Sequence, residues 1–231
     1  ASKDCPFPRR LPGKPCRLAV RASTPPRHLD EVSPEALFSS AKECDVSVGS
    51  LIRGTWLLYF SQPAPDRFLY KAVKGKPIRS IVEIGIGSGL RTQRMLEVLA
   101  WQAAQEPLKY TGIDLFEARP KDQPGLALKQ AFHDLRRPGV QIKLVPGEPY
   151  DALIRVANGL AGTDVLIISA DQDCESLERA WTYMPRMLHT GSLIFQEDAD
   201  LKTGKATYRR LTLLDVQRNA AVASRAMRRA A

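Results

Sequence analysis

From residue 66 to residue 200, short apolar runs alternate with longer amphipathic stretches. The runs at 80–84, 110–115, 140–145, 163–169 and 192–196 have the length and Val/Ile/Leu content of strands. Between them, 67–73, 90–104, 126–135, 150–159 and 174–188 carry apolar residues at helical spacing, such as Met95, Leu96, Val98 and Leu99. Val165-Leu166-Ile167-Ile168 is apolar on both faces, as a strand covered by helices on both sides requires. Strand and helix in strict alternation predict an α/β fold with a doubly wound, mostly parallel sheet.

Outside that stretch the pattern changes. Residues 1–30 hold six prolines and little periodicity, and read as an extended basic arm. Within 31–65, Ser33 and Pro34 open an expected helix through Leu37, Phe38, Ala41 and Cys44. Val48, Leu51, Ile52, Trp56, Leu57 and Tyr59 suggest a second, closed by Pro63 and Pro65. These form an N-terminal helical cap, with Trp56, Tyr59 and Phe60 expected as packing residues. Residues 66–200 make the core. Residues 201–231 supply a strand over 206–214 and a basic helix over 216–230, an atypical closing edge.

The most informative segment is Glu83-Ile84-Gly85-Ile86-Gly87-Ser88-Gly89, which follows the first strand and opens a helix. Glycines there let a ligand approach the backbone closely. Asp114, at the tip of the second strand, is placed to accept two ribose hydroxyls. A dinucleotide turn is G-x-G-x-x-G, and Leu90 stands where its third glycine would be. That ranks a dehydrogenase below other readings.

E-x-G-x-G-x-G on a first strand resembles the opening motif of the class I S-adenosylmethionine (AdoMet) methyltransferases. The strongest local likeness is to the catechol and caffeoyl-CoA O-methyltransferase type. The resemblance covers about residues 66–198 and implies a Rossmann-like methyltransferase fold with AdoMet as cofactor. It assigns Gly85, Gly87 and Gly89 to the cofactor turn, Glu83 to the cofactor's ammonium end and Asp114 to its ribose. Glu148 and Tyr150, in Pro146-Gly147-Glu148-Pro149-Tyr150-Asp151, stand where such enzymes wrap the adenine.

Ser169-Ala170-Asp171-Gln172-Asp173 and Gln196-Glu197-Asp198 resemble the stretches that hold a divalent cation in the metal-dependent members. Ser169 replaces the first carboxylate and Gln172 the usual lysine, so no metal site is expected. Asp171 and Asp173 also suit a helix cap. If a base is needed, Asp171 or Glu197 is the candidate. The implied activity is methyl transfer to a small molecule, at oxygen. The alternative is a non-catalytic AdoMet-fold module that binds nucleic acid or a protein partner.

Charge bears on that alternative. The 231-residue chain carries +9, with +5 in residues 1–30 and +7 in 202–231, leaving −3 for the rest. Basic ends attract polyanions, which makes nucleic acid a possible partner. Cys5, Cys16, Cys44 and Cys174 are scattered without a C-x-x-C pair, so neither a zinc site nor a disulfide framework is expected. His28, His133 and His189 are isolated and read as surface residues. No apolar run reaches the length of a membrane span, and a cytoplasmic protein is expected.

Overall fold

A computed structural model describes residues 48–100, 107–120, 123, 125–199 and 206–230. These belong to one compact unit, Cys44–Ala231. The arm expected over 1–30 and the helix expected from Ser33 lie outside the described residues.

Six strands form one sheet in the order β3-β2-β1-β4-β5-β6. They are β1 (Ser80–Ile84), β2 (Leu108–Asp114), β3 (Val140–Pro146), β4 (Thr163–Ile168), β5 (Leu188–Ala199) and β6 (Ala206–Leu211). The first five run parallel and β6 pairs antiparallel with β5, Glu197 opposite Tyr208. The connection 200–205 is too short for a crossover, which needs about a dozen residues, so the chain has to reverse. The order reverses between β1 and β4, which opens a crevice at their carboxyl ends.

Strand alternation sends side chains to two cores. Ile81, Tyr110, Val165, Ile167 and Phe195 pack beneath α1 (Val48–Tyr59), α2 (Asp66–Val73), α3 (Leu90–Ala100) and α4 (Leu128–Leu135). Val82, Ile84, Ile113, Leu166 and Ile194 pack beneath α5 (Pro149–Val156), α6 (Cys174–Ala180) and α7 (Leu213–Ala230). Three layers result, as the doubly covered strands demanded.

Several expected boundaries shift. The helix expected over 174–188 ends at Ala180 and continues as irregular turns. Strand β5 is 12 residues long, because antiparallel β6 extends its pairing to Ala199. The last strand stops at Leu211, where Thr212 and Asp215 exchange hydrogen bonds that start α7. Trp56, Tyr59 and Phe60 are not packing residues: they are 41%, 51% and 65% exposed, while Leu57 and Leu58 face the core instead. Arg53 and Arg94 lie over the Trp56 ring, and Lys71 over Tyr59. His133 is exposed, as expected. Among the described residues no helix is long and apolar enough to cross a membrane.

Asp164 ties β4 to β1, accepting from the backbone N–H groups of Arg79 (2.8 Å) and Ser80 (2.9 Å) and meeting His189 Nε2 at 3.1 Å. Burial alone would raise its pKa, but these hydrogen bonds outweigh it and hold the carboxyl below its ordinary 3.8. Its stabilising contribution is therefore present above that ordinary value and lost as pH falls through the depressed one. Asp164→Asn should lower the urea midpoint at neutral pH and converge on wild type in acid, below the depressed pKa, so that the acid limb of a plot of midpoint against pH flattens.

Candidate functional site

The glycine turn is held by the second strand. Asp114 is 4% exposed, and its Oδ2 accepts from the N–H groups of Ile86 (2.7 Å) and Gly87 (3.0 Å). Its Oδ1 accepts from Leu115 N–H at 2.7 Å and from the Arg119 guanidinium. Arg119 also reaches Asp171, 3.7 Å away, and so spans the mouth from β2 to β4. The strand-tip carboxylate thus pins the turn, and its outer oxygen is engaged by an arginine. Phe116, next in this loop, is buried at φ +49, a left-handed conformation costly for a bulky side chain.

The glycines differ in what they leave open. At Gly85 (φ +86), an added Cβ would lie 2.3 Å from Gln172 Nε2 and 2.6 Å from Ser169 Cβ. That position is filled by the loop after β4. At Gly87 (φ +59), a Cβ would meet nothing within 4 Å. Gly87 is where the turn faces open space.

Glu83 lies at the end of β1 on the α3 side and is fully buried. Its carboxylate accepts from Arg91 Nε (2.8 Å), Thr92 Oγ1 (2.5 Å) and Tyr110 Oη (2.7 Å). Burial first, and the Glu83 charge second, push the Tyr110 hydroxyl well above its ordinary pKa, so it stays a donor.

Arg91 is the hub. Nη1 donates to Glu197 Oε2 (3.1 Å) and to Tyr208 Oη (2.8 Å). Nη2 donates to the Gly85 carbonyl (2.8 Å) and Ser169 Oγ (3.3 Å). Ser169 Oγ donates in turn to Glu197 at 2.8 Å. Burial alone would lower the Arg91 pKa, but Glu83, Tyr208 and Glu197 together raise it well above normal. A guanidinium therefore sits between Ser169 and Glu197, the two strand ends that the sequence suggested for a cation.

Tyr208 extends this network to Asp66 on α2, donating to its Oδ1 at 3.0 Å. Asp66 is pushed above its ordinary pKa, chiefly by burial, against the lowering effects of Arg91 and the Tyr208 bond. Asp66, Arg91, Asp171, Glu197 and Tyr208 line a crevice of about 400 Å³, with Gly87 at its edge.

Asp171 and Glu197 thus share one crevice with Gly87, and Asp114 lies just behind it. Glu148 and Tyr150 are not among the lining residues. Gly147 N–H does bond the Asp114 carbonyl (2.9 Å), so their loop runs beside the β2 tip. Glu148 is exposed, and the Tyr150 ring packs edge-on against Tyr183 at 5.8 Å with Arg179 over it at 3.9 Å. Asp173 caps α6, accepting from Ser176 N–H. Asp66, Arg91, Arg119 and Tyr208 were not anticipated. Asp66 falls just ahead of the helix expected over 67–73, and Tyr208 lies 142 residues away from it. Among the described residues no group of three or more His, Cys, Asp or Glu side chains is arranged to hold a metal.

No family model matches the chain, and no curated protein matches it in sequence. Solved structures resemble it weakly. The O-methyltransferase from Bacillus cereus in complex with SAH is 17% identical over 66% of this chain and 67% of that one, with a TM-score of 0.45. The O-methyltransferase TomG from Streptomyces achromogenes, in complex with SAM, is 16% identical over 71% and 69%, also at 0.45. MycE methyltransferase, from the mycinamycin biosynthetic pathway, is 17% identical over 67% of this chain at 0.38, and this chain spans 36% of it. All three lie below a TM-score of 0.5, too remote to assign an activity.

Proposed function

We propose that the crevice binds S-adenosylmethionine and that the protein transfers its methyl group to a small molecule, at a hydroxyl oxygen. The observation that carries this reading is the charge of the crevice. Three carboxylates, Asp66, Asp171 and Glu197, line it with one guanidinium, Arg91, whose donors are already engaged. A pyrophosphate would meet like charge there, whereas a sulfonium beside an ammonium meets opposite charge. The open face of Gly87 gives such a ligand room, and Asp114 stands where ribose hydroxyls would seek an acceptor.

Bound there, AdoMet would supply an electrophilic methyl group on a sulfonium. The chain's own part is to position and to hold protons. Glu83 and Arg91 fix the turn and the β4 and β5 ends against one another. Glu83 is fully enclosed by protein donors, so it acts on the cofactor site by holding Arg91 and the turn. Of the two bases named from sequence, Glu197 already accepts from Arg91 and Ser169, while Asp171 is half exposed at the mouth. Asp66, raised by burial, is a third carboxylate suited to take an acceptor's proton. A divalent cation does not fit this donor set, because Arg91 holds Ser169 and Glu197. We therefore assign no step to a metal.

Ribose binding at Asp114 requires Arg119 to release Oδ1. Arg119→Gln should accordingly tighten AdoMet binding, by about tenfold if one charge-assisted hydrogen bond no longer has to be broken. Calorimetric titration of both proteins tests the assignment. Equal affinities would place the ribose elsewhere, and the absence of AdoMet binding in both would overturn the function.

A further inference from the structure

At the opposite end of the sheet, helix α5 is too short for the strands it covers. Its eight residues span about 12 Å, whereas the seven-residue strands β2 and β3 extend about 23 Å. Ala152 and Leu153 of α5 reach Ile113 and Val145, in the upper part of these strands. One pleat below, on the same face, the residues turn polar: Thr111 and Lys109 on β2, Lys143 on β3. A parallel sheet ordinarily keeps such positions apolar beneath a helix. Here they floor a groove of about 610 Å³, walled by the Gly159–Gly162 loop, within the size range of small-molecule sites.

We propose that this groove is a second ligand site, for a phosphate monoester. Lys143 is the register partner of Thr111 across the β2–β3 pair, and Lys109 stands two residues before Thr111 on the same face. Both lysines thus stand on backbone positions within about 7 Å of Thr111. Arg79 adds a third cation at the rim. The Thr111 residue is only 6% exposed, and its hydroxyl has no hydrogen-bond partner among the described residues. That hydroxyl faces whatever occupies the groove, solvent or ligand, and is left to bond it. The one carboxylate among the described lining residues, Asp164, keeps its charge, held ionised by hydrogen bonds from the Arg79 and Ser80 backbone, and against the two lysines it leaves positive charge in excess. Tetrahedral oxygens offer the acceptors that two lysines and a threonine need. The groove lies at the amino ends of the strands, away from the crevice, so its ligand is an effector or tether and not the methyl acceptor.

The test is titration of the full chain with glycerol 3-phosphate and with glycerol, followed by calorimetry. The site should bind the phosphate saturably and ignore glycerol. Lys109→Gln with Lys143→Gln should weaken binding by about tenfold or more, since two charged donors are lost. Thr111→Val keeps volume and net charge, and should still weaken binding by about fivefold. That variant separates this site from general attraction to a chain of charge +9. Unchanged thermal midpoints establish that the variants fold. Absence of saturable binding, or affinity that survives Thr111→Val, overturns the proposal.

Discussion

Glu83→Ala should be the most destabilising single change in this core, costing about 3–5 kcal/mol in urea denaturation. The carboxylate is fully buried and accepts from three side chains on two elements. Its removal leaves the Arg91 guanidinium short of a counter-charge and strands the hydroxyls of Thr92 and Tyr110, each a desolvation cost. Against a typical domain stability of about 5–15 kcal/mol, that is a large share. Glu83→Gln should fall between Ala and wild type, because an amide oxygen still accepts but its NH₂ faces the donors. A loss below about 1 kcal/mol for Glu83→Ala would mean that the network relaxes around the gap.

Gly87→Asn should abolish AdoMet binding while leaving stability nearly unchanged. Asn tolerates the left-handed conformation better than any branched residue, and nothing lies within 4 Å of the Cβ it would add. Its side chain would stand in the open part of the crevice, where the cofactor is placed. Asp114→Asn should also lose binding, but with weaker folding, since an NH₂ group would face the donors of the turn. The contrast between the two separates occlusion from collapse of the turn. A loss of about a hundredfold or more in affinity is expected for each. Calorimetry of Gly87→Asn against wild type, with denaturation curves alongside, measures both quantities.

How much of this was legible beforehand follows from how local each cause is. Strands β1 and β4 could be placed from sequence because a strand buried on both faces must read Ser80-Ile81-Val82 or Val165-Leu166-Ile167-Ile168 whatever surrounds it. The length of β5 could not, because its last residues are ordered by pairing with β6, beyond the turn. Trp56, Tyr59 and Phe60 share helical spacing with Leu57 and Leu58, and periodicity alone did not tell which side meets the core. The turn glycines and Asp114 stood out because glycines at that spacing, followed by an acid on the next strand, form a compact pattern. Arg91 did not, although it lies only two residues past Gly89. Its role depends on Glu197 and Tyr208, more than a hundred residues on, which only the sheet order brings near. Asp66 is a similar case: one polar residue ahead of an expected helix in the sequence, a buried carboxyl at the crevice by fold.

Tyr150 stands in a different setting. Its place after the third strand suggested the adenine, yet its ring is shared between Tyr183 and Arg179.

Side-by-side calorimetric titration of the full chain with AdoMet and with NAD⁺ tests the central claim most directly. A crevice lined by Asp66, Asp171 and Glu197 should give a saturable, one-to-one heat with AdoMet and none with NAD⁺, whose pyrophosphate those carboxylates repel. Tight binding of NAD⁺ with no response to AdoMet would contradict the account.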